Sequence, residues 1–313
     1  MQVFRKLEEV PAQFGPTVVS VGNFDGVHIA HQAVVRHMAE RAHAIGGKAV
    51  AVTFDPHPLR ILRPDSSPRL LTPLEVKLQL LEQTSVDAVL VLPFTRDMSL
   101  MSAHDFARQV LVDSLHAREV HEGYNFRFGH KAEGNVETLA AFGREMGFGV
   151  HTYSEETLRG HHVSSSEIRR LVTAGRVDRA RPLLGRPFSI LSNPGRGRGY
   201  GTRYTVPTVN LARYDELVPA NGVYITWLRI NGECFDAVTN VGVRPTFGLD
   251  SFAIESHLLN FHEIELLAQT EIELIFLKRL REEIKFESID ALKEQIGRDV
   301  ARAQRFFRMV RSN

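Results

Sequence analysis

The sequence predicts an α/β + β protein with two domains: an N-terminal doubly wound parallel sheet, and a C-terminal, mostly antiparallel β-barrel with a long terminal helix. Three observations support this prediction. Apolar strand-like runs alternate with amphipathic helical segments through the first half of the chain. From about residue 185 the helical periodicity gives way to short strand-like segments separated by glycine and proline. The length of 313 residues suffices for two domains, which we place at residues 1–184 and 185–313.

The composition is that of a globular protein, with 43% apolar and 24% charged residues. A formal net charge of +1 gives no overall field that would attract nucleic acid or an anionic membrane. The one cysteine, Cys234, cannot form an intrachain disulfide, which favours a reducing, cytoplasmic setting. We expect no membrane association, because no apolar run reaches membrane-spanning length and residues 1–9 do not resemble a signal peptide. Nothing in the sequence indicates an obligate protein partner.

The N-terminal domain is predicted from alternating strands and helices. The strands are expected at 18–21, 49–54, 88–92, 119–122 and 149–153, and the helices at 29–45, 72–82, 102–115 and 136–146. In the second helix we expect Thr72 to be the N-cap and Pro73 the first helical residue. Loops rich in glycine or proline follow four strands, at 22–26, 55–58, 93–97 and 123–129. Because parallel sheets bind ligands beyond the carboxyl ends of their strands, these loops predict a binding site at that edge.

The loop at 22–28 connects the first predicted strand to the first helix through two glycines. Such a turn points backbone N–H groups and the positive end of the helix dipole at one spot, which suits a phosphate. His28 and His31 are three residues apart, share a face of the helix and can donate hydrogen bonds to phosphate oxygens. A His-x-x-His pair alone is as typical of ordinary surface residues as of a functional site, and it is a weak zinc signal. The attached glycine turn favours the phosphate interpretation.

A second helix N-terminus is predicted near residue 164. Ser164 and Glu167 fit a capping box, which is worth about 1 kcal/mol. The hydroxyls of Ser164 and Ser165 and the guanidinium of Arg169 are also suited to nucleotide phosphates. The structural and the functional interpretations are compatible with each other.

The string Gly22-x-Phe24-Asp25-Gly26-x-His28-x-x-His31 resembles the G-x-F-D-G-x-H-x-G-H signature of the bacterial bifunctional riboflavin kinases/FAD synthetases. Ala30 stands where the family has glycine, and residues 53–58, 126–129 and 163–169 resemble further motifs of the same family. The resemblance implies an FMN adenylyltransferase domain of the nucleotidyltransferase type, with His28 and His31 as catalytic residues. It implies that ATP is bound by Gly22, Phe24, Asp25, Gly26, His28, His31, Asn125, Ser164, Ser165 and Arg169, and the flavin by Asp55, Pro56 and Phe126.

The C-terminal domain is predicted from strands at 188–191, 204–211, 223–230, 234–240, 252–259 and 271–277, with Asn231-Gly232 as a hairpin turn. A long helix follows, and we expect its apolar stripe to be core packed against the barrel: Ile289, Leu292, Ile296, Val300, Ala303 and Phe307. The glycine–arginine tract at 193–201 is compatible with a linker or a nucleic-acid-binding segment. Its place between two strands favours a flap whose backbone amides, at Gly195, Gly197 and Gly199, cradle phosphates.

The segment Pro207-Thr208-x-Asn210 resembles the P-T-x-N motif of riboflavin kinases. It is preceded by Tyr204-Thr205-Val206, where the family often has Leu-Gly-Phe/Tyr. The resemblance implies that Thr208 and Asn210 hold Mg²⁺ and the phosphates of ATP, and oxygen ligands suit magnesium.

Glu255 lies where the family has its catalytic glutamate, although its position alone indicates a solvent-facing strand residue. Strand alternation places Glu255 and His257 on one face and Ile254 on the other. A kinase needs a base or an orienting acceptor at the substrate hydroxyl, which is the role that the resemblance implies for Glu255.

The resemblances together imply a bifunctional enzyme whose partners are riboflavin, FMN and ATP, with Mg²⁺ accompanying ATP. Its C-terminal domain would phosphorylate riboflavin to FMN, and its N-terminal domain would adenylylate FMN to FAD with release of pyrophosphate. Three alternatives stay open: a monofunctional riboflavin kinase with an impaired adenylyltransferase domain, a transferase acting on another alcohol and nucleotide, and a flavin- or nucleic-acid-binding module without activity.

Overall fold

The computed structural model describes residues 1–158, 160–195, 208–244, 251–262 and 266–311. The chain divides into two compact units, Met1–Ser165 and Ser166–Asn313. This division groups residues 166–184 with the second unit, and the boundary that we place after residue 184 on sequence grounds stays a prediction.

The first unit contains a six-stranded parallel sheet in the order β1-β4-β3-β2-β5-β6. Its strands are β1 Gln2–Phe4, β2 Thr17–Val21, β3 Lys48–Asp55, β4 Ala88–Pro93, β5 Ala117–Gly123 and β6 Gly149–Tyr153, and a small hairpin follows with β7 Thr157–Leu158 and β8 His161–His162. From β2 the chain proceeds to β3 and β4 on one side of the sheet, and β5 and β6 lie on the other. The strand order therefore reverses between β2 and β5, and such a switch point is where open α/β sheets form their ligand crevice.

Helices cover both faces of this sheet, as the doubly wound prediction requires. The helices up to the end of the unit are α1 Ile29–Ala44, α2 Pro58–Leu62, α3 Leu74–Glu82, α4 Ala103–Phe106 and α5 Val136–Met146. One apolar core contains α1 and α3 side chains, and the other contains side chains of the helix after residue 103 and of α5. The predicted helix over 102–115 is present, but residues Ala107–Ser114 have π-helical hydrogen bonding, a detail that apolar spacing does not encode.

The prediction that Thr72 caps the second predicted helix is wrong. Helix α3 begins at Leu74, and no side chain of the preceding residue caps it. The Thr72 hydroxyl instead accepts a hydrogen bond from the Gly26 N–H at 3.0 Å. A tertiary contact with a distant loop therefore takes the place of the local cap.

The second unit contains a six-stranded antiparallel sheet in the order β10-β13-β12-β11-β14-β9. The chain enters it through α6 Ser165–Thr173 and α7 Val177–Leu184, and the strands are β9 Phe188–Ser192, β10 Thr208–Asn210, β11 Gly222–Ile230, β12 Glu233–Arg244, β13 Ser251–Leu258 and β14 Ile272–Arg281. The two edge strands are joined by backbone hydrogen bonds, Gly195 N–H to the Asn210 carbonyl and Ala212 N–H to the Asn193 carbonyl, both 2.8 Å. These bonds close the sheet as a barrel.

The hairpin turn at Asn231-Gly232 is confirmed between β11 and β12. Its two residues have φ angles of 51° and 84°, and this left-handed pair is the backbone that Asn-Gly favours in two-residue hairpins. Residues 204–207 of the predicted strand at 204–211 lie outside the described residues.

The terminal helix α8, Ile289–Arg311, confirms half of the predicted apolar stripe. Ala303 and Phe307 are buried in a core with β11, β12 and β14, and Val300 packs partly against it. The interpretation of Ile289, Leu292 and Ile296 as core is wrong, since 67%, 39% and 43% of these residues, respectively, is exposed. The apolar side chains of the first turns of α8 are therefore partly exposed and are not buried in the core between the helix and the sheet.

A buried ion pair fastens α8 to β14. The Arg281 Nε donates to the Asp299 carboxylate at 2.9 Å, and the Gln295 amide donates to its other oxygen at 3.0 Å. The Asp299 side chain is 2% exposed, so the pair is shielded from water.

None of the helices in the described part of the chain combines the length and apolar character needed to cross a bilayer.

We predict that Asp299→Ala destabilises the second unit by about 3 kcal/mol, because it leaves the Arg281 cation without its buried partner. The chain has one tryptophan, Trp227, which stacks on Phe307 of α8 with ring centroids 6.5 Å apart. Urea unfolding followed by its fluorescence measures the change in this unit.

The matched control for that measurement is Asp290→Ala, since the Asp290 side chain is 95% exposed and its pair with Lys293 spans 3.9 Å. The control should leave the transition nearly unchanged. An Asp299→Ala transition that coincides with the control would contradict the fastening role.

Candidate active sites

The loop between β2 and α1 has an unusual backbone that buried side chains hold in place. Phe24, Gly26 and Val27 have φ angles of 46°, 83° and 38°. Such angles are costly for residues with a Cβ and persist where the surroundings fix them. Phe24 and Val27 are both buried in the core beneath α1. Phe24, expected to contact ATP, is thus part of the floor of the loop, and its ring lies edge-on to His31 with centroids 5.2 Å apart.

Asp25 links this loop to the segment before α3. Its buried carboxylate accepts hydrogen bonds from the N–H groups of Leu71 and Thr72, each at 3.0 Å. The hydroxyl of Ser165, at the start of α6, donates to the Asp25 carbonyl at 2.8 Å. Three segments that are remote in sequence therefore meet at one aspartate, and Asp25 positions the site.

His28 and His31 form a stacked pair at the start of α1, with ring centroids 3.6 Å apart and planes inclined by 16°. The Nδ1 of His28 accepts the His31 backbone N–H at 3.4 Å and so caps the helix. This places the proton of neutral His28 on Nε2, as a donor. Burial lowers the pKa of His31 well below its ordinary value, and the nearby His28 and Lys77 lower it further. The His31 Nδ1 is buried without a hydrogen-bond partner among the described residues.

Lys77 is a buried cation at this site that we did not predict. It is 4% exposed on α3, and its Nζ donates to the Thr53 hydroxyl at 3.3 Å. Burial lowers its pKa, and the carboxylates of Asp25 and Asp55 oppose that change. The available signal was a lysine on the same helical face as Leu74, Leu78 and Leu81, where an apolar residue is expected.

Glu122 is a second buried charged residue that sequence reasoning missed. It lies near the end of β5, 4% exposed, and accepts the Val21 N–H at 2.5 Å. The regular pairing of β2 with β5 ends at Val19, so this carboxyl occupies the fork where the two strands separate. Burial raises the pKa of Glu122 well above its ordinary value, and the hydrogen bond from Val21 opposes this only in part.

The remaining predicted residues of this site lie at or near the carboxyl ends of the strands or at α6. Asp55, the last residue of β3, is exposed, and Pro56 after it is half-buried. Asn125 is exposed after β5, and the Phe126 ring stacks on Phe128 with centroids 5.2 Å apart. Gly22 directly follows β2, and its N–H donates to the Val52 carbonyl at 2.9 Å. Ser164 precedes α6 and Arg169 lies within it, both half-buried. The capping box of Ser164 with Glu167 stays a prediction, as do the phosphate contacts of Ser164, Ser165 and Arg169.

The second unit has a cavity of about 460 Å³ between its sheet and the first turns of α8. Glu255 lines it, directly opposite Asn210 of β10 and Asn240 of β12 in the strand register. Thr208 is opposite His257 in the same way, so these side chains share one face of the sheet. Apolar side chains also line the cavity, namely Ile284, Phe286, Leu292, Ile296 and Val300, together with the charged residues Arg281, Glu283 and Asp299.

The predicted alternation on β13 is confirmed: Glu255 and His257 line the cavity, whereas Ile254 is buried on the other face. Burial lowers the pKa of His257, which keeps its ring neutral near neutral pH. Asn240 and the α8 residues were not predicted as site residues. Two neighbouring asparagines in register with one glutamate become visible only when the strands are paired.

Gly195 differs from its predicted role in one respect, because its N–H donates to the Asn210 carbonyl in the closure of the barrel. A Cβ at this position would lie 2.4 Å from the Leu211 carbonyl oxygen, so glycine is required for the close approach. Gly197, Gly199 and Tyr204-Thr205-Val206 lie outside the described residues.

Comparisons with known proteins match both units. The family described as FAD synthetase matches residues 10–167, and the family described as riboflavin kinase matches residues 184–307. A bifunctional riboflavin kinase/FMN adenylyltransferase of Pseudomonas fluorescens is 35% identical over 97% of both chains. The proteins of the same name from Haemophilus influenzae and Escherichia coli K12 are 33% identical, over 98% of this chain and 99% of the relative, and 32% identical, over 94% of each.

Among solved structures, one titled as a macrolide-efflux protein from Streptococcus pneumoniae superposes with a TM-score of 0.86. It is 24% identical, and the match covers 96% of this chain and 98% of that one. This likeness shows that the two chains share a fold.

We predict that Glu122→Gln becomes more stable relative to the wild type as the pH rises. The raised pKa means that folded Glu122 keeps its proton where the unfolded chain has released it, so wild-type stability falls above the ordinary glutamate pKa. Glutamine keeps the oxygen that accepts the Val21 N–H and does not ionise. Thermal unfolding at about pH 5 and about pH 8 measures the difference.

Glu137→Gln, at an exposed position on α5, is the matched control and should show no such trend. A Glu122→Gln difference that is constant with pH would show that the buried carboxyl is not protonated.

Proposed function

This chain belongs to the family of bifunctional riboflavin kinases/FMN adenylyltransferases, and we propose that the residues described above form its two active sites. The enzyme phosphorylates riboflavin to FMN and transfers AMP from ATP to FMN, which gives FAD and pyrophosphate. We assign FMN adenylylation to the site around His28 and riboflavin phosphorylation to the cavity around Glu255. The free Cys234 and the use of ATP support a cytoplasmic location.

The stacked histidine pair supports the assignment of the first site. In adenylyl transfer, an oxygen of the FMN phosphate forms a bond to the α-phosphorus of ATP while the bond to pyrophosphate breaks. No protein nucleophile or base is needed; the protein aligns the phosphates and stabilises their charge. The rings of His28 and His31 are suited to donate hydrogen bonds to those oxygens, and the dipole of α1 favours their negative charge. Asp25 holds the surrounding loops through its hydrogen bonds, and the buried Lys77 bonds to Thr53 of β3.

The position of Glu255 supports the assignment of the second site. Riboflavin carries a flat apolar ring system and a polar ribityl chain, and the cavity is lined both by apolar side chains, such as Phe286 and Leu292, and by polar ones, such as Glu255. We propose that the ring lies against Phe286, Leu292 and Ile296, which brings the terminal hydroxyl towards Glu255. Glu255 accepts the proton of that hydroxyl while the hydroxyl oxygen of riboflavin forms a bond to the γ-phosphorus of ATP and the bond from that phosphorus to ADP breaks.

Mg²⁺ fits the donor set that β10 offers to this second site. Thr208 and Asn210 are two residues apart on one strand, so their oxygen-bearing side chains share the face that holds Glu255. Hard oxygen donors are the ligands that Mg²⁺ prefers, and the ion usually keeps waters and phosphates as its other ligands. When bound, it neutralises charge on the ATP phosphates; Thr208 and Asn210 hold it beside the reacting hydroxyl.

We predict that His28→Asn lowers the rate of FAD formation from FMN by about a hundredfold and leaves the kinase unchanged. Asparagine is a good N-cap, so this variant keeps the start of α1 while removing the imidazole. His28→Ala should lose the same activity and in addition about 1 kcal/mol of unfolding free energy. Separate assays with riboflavin and with FMN distinguish the two activities.

An equal loss of both activities in His28→Asn would contradict independent sites. Full adenylyltransferase activity in this variant would remove His28 from the chemistry and leave it as a helix cap.

We predict that Glu255→Gln lowers FMN formation by at least about a hundredfold, because the amide cannot accept the hydroxyl proton. FAD formation from supplied FMN should be unaffected. The control is Glu233→Gln, a carboxylate on β12 that is exposed and pairs with His262 at 2.7 Å. A normal rate of FMN formation in Glu255→Gln would refute the base assignment.

A further inference from the structure

Three side chains with metal-ligating atoms lie together on β5 and β6, outside the residues assigned to either reaction. The donor atoms of Glu119, His121 and His151 are all within 4.8 Å of one another. Glu119 Oε2 lies 3.1 Å from His121 Nε2 and 3.4 Å from His151 Nε2. Neither proposed reaction uses these residues. Their neighbour Arg41 follows His28 along α1 by more than three turns, roughly 20 Å.

These distances match the spacing of ligands around a tetrahedral ion. A zinc ion with ligand bonds of about 2.0–2.1 Å separates neighbouring donor atoms by about 3.3 Å. The two measured separations from Glu119 lie on either side of that value. The two imidazole rings already stack with centroids 4.6 Å apart. A small rotation of the half-exposed His151 therefore gives its donor nitrogen the same spacing from the donor nitrogen of His121.

The outer contacts orient the ligands as metal sites require. His121 is 1% exposed, and its Nδ1 lies 2.7 Å from the Tyr153 hydroxyl. This contact takes up Nδ1 and turns Nε2 towards Glu119, which is the second-shell arrangement of ligating histidines. Tyr153 is itself covered by the His37 ring of α1, at 6.0 Å between centroids. His151 lies half-exposed on the edge strand, so an ion can enter from its side of the cluster.

Arg41 is the group that competes with an ion at this place. Its Nε donates to Glu119 Oε2 at 3.1 Å, and its terminal nitrogen pairs with the other oxygen. This pairing shows that the Glu119 carboxylate already holds a cation at this place. The Arg41 side chain is 48% exposed, so it can turn into solvent when an ion takes its place. His37 and Glu40 are the other titratable groups that α1 turns towards this cluster.

We propose that Glu119, His121 and His151 bind one divalent transition-metal ion of the zinc class, with solvent as the fourth ligand. Two imidazole nitrogens and one carboxylate suit Zn²⁺ or Co²⁺, whereas Mg²⁺ demands oxygen ligands. The ion joins the edge strand β6 to β5 and thus fastens the margin of the parallel sheet. It is distinct from the magnesium that accompanies ATP.

The test is a Zn²⁺ titration of the full chain after removal of metals with a chelator, read by competition with a chromophoric chelator. We expect one Zn²⁺ per chain and an increase of the thermal unfolding temperature on loading. Co²⁺ in place of Zn²⁺ should give the visible absorption bands of a nitrogen-ligated, four-coordinate ion. Binding should persist in His28→Ala, which excludes the stacked histidines as the source.

Variants separate this site from adventitious binding. His151→Ala should weaken Zn²⁺ binding by about a hundredfold, and Tyr153→Phe by roughly tenfold through the outer shell. His104→Ala is the matched control, because His104 also pairs with a glutamate, at 3.4 Å, and has 47% side-chain exposure. It should bind as the wild type does, and Arg41→Ala should bind more tightly. No Zn²⁺ binding by the wild type, or equal binding by His151→Ala and His104→Ala, would overturn the proposal.

Discussion

The buried carboxylate of Asp25 is the contact on which the N-terminal site depends. It accepts backbone N–H groups of Leu71 and Thr72, and Thr72 in turn holds the N–H of Gly26. Hydrogen bonds to a charged acceptor contribute about 1.5–3 kcal/mol each. That stabilisation offsets the strained backbone of the loop, which no local preference would select. The loop in turn fixes where α1 begins and therefore where the two histidines lie.

In the second unit, strand register and not a loop fixes the positions of the predicted site residues. Pairing of β10, β13 and β12 sets Asn210, Glu255 and Asn240 side by side, and a shift of one residue would turn all three to the other face. The hairpin at Asn231-Gly232 and the closure at Gly195 fix that register from two ends. Helix α8 then supplies an apolar wall to the cavity, held by the buried Arg281–Asp299 pair. In both units, contacts between distant segments thus fix the backbone that carries the predicted site residues.

Much of this architecture could be predicted from the sequence, because periodicity and turn residues are local signals. Five of the six strands of the parallel sheet, the hairpin and the glycine loop with its histidines are cases of this kind, whereas the short edge strand β1 was not predicted. Residues whose role depends on tertiary contacts were missed or misread. Thr72 is predicted as a helix cap, but its hydroxyl binds the Gly26 N–H of a distant loop; Leu292 and Ile296 are predicted as core, but they are exposed. Lys77 and Glu122 are buried ionisable residues in apolar elements, and only the packing around them explains why they are tolerated.

One chain carries an FAD synthetase domain and a riboflavin kinase domain, and we propose that their sites act in sequence on a flavin. The most direct measurement is a time course with riboflavin, ATP and Mg²⁺, in which the flavins are separated by chromatography. We predict that FMN rises first and that FAD follows at its expense. FMN accumulating without FAD would contradict a working adenylyltransferase site in the first unit. No flavin product from either riboflavin or supplied FMN would contradict both site assignments.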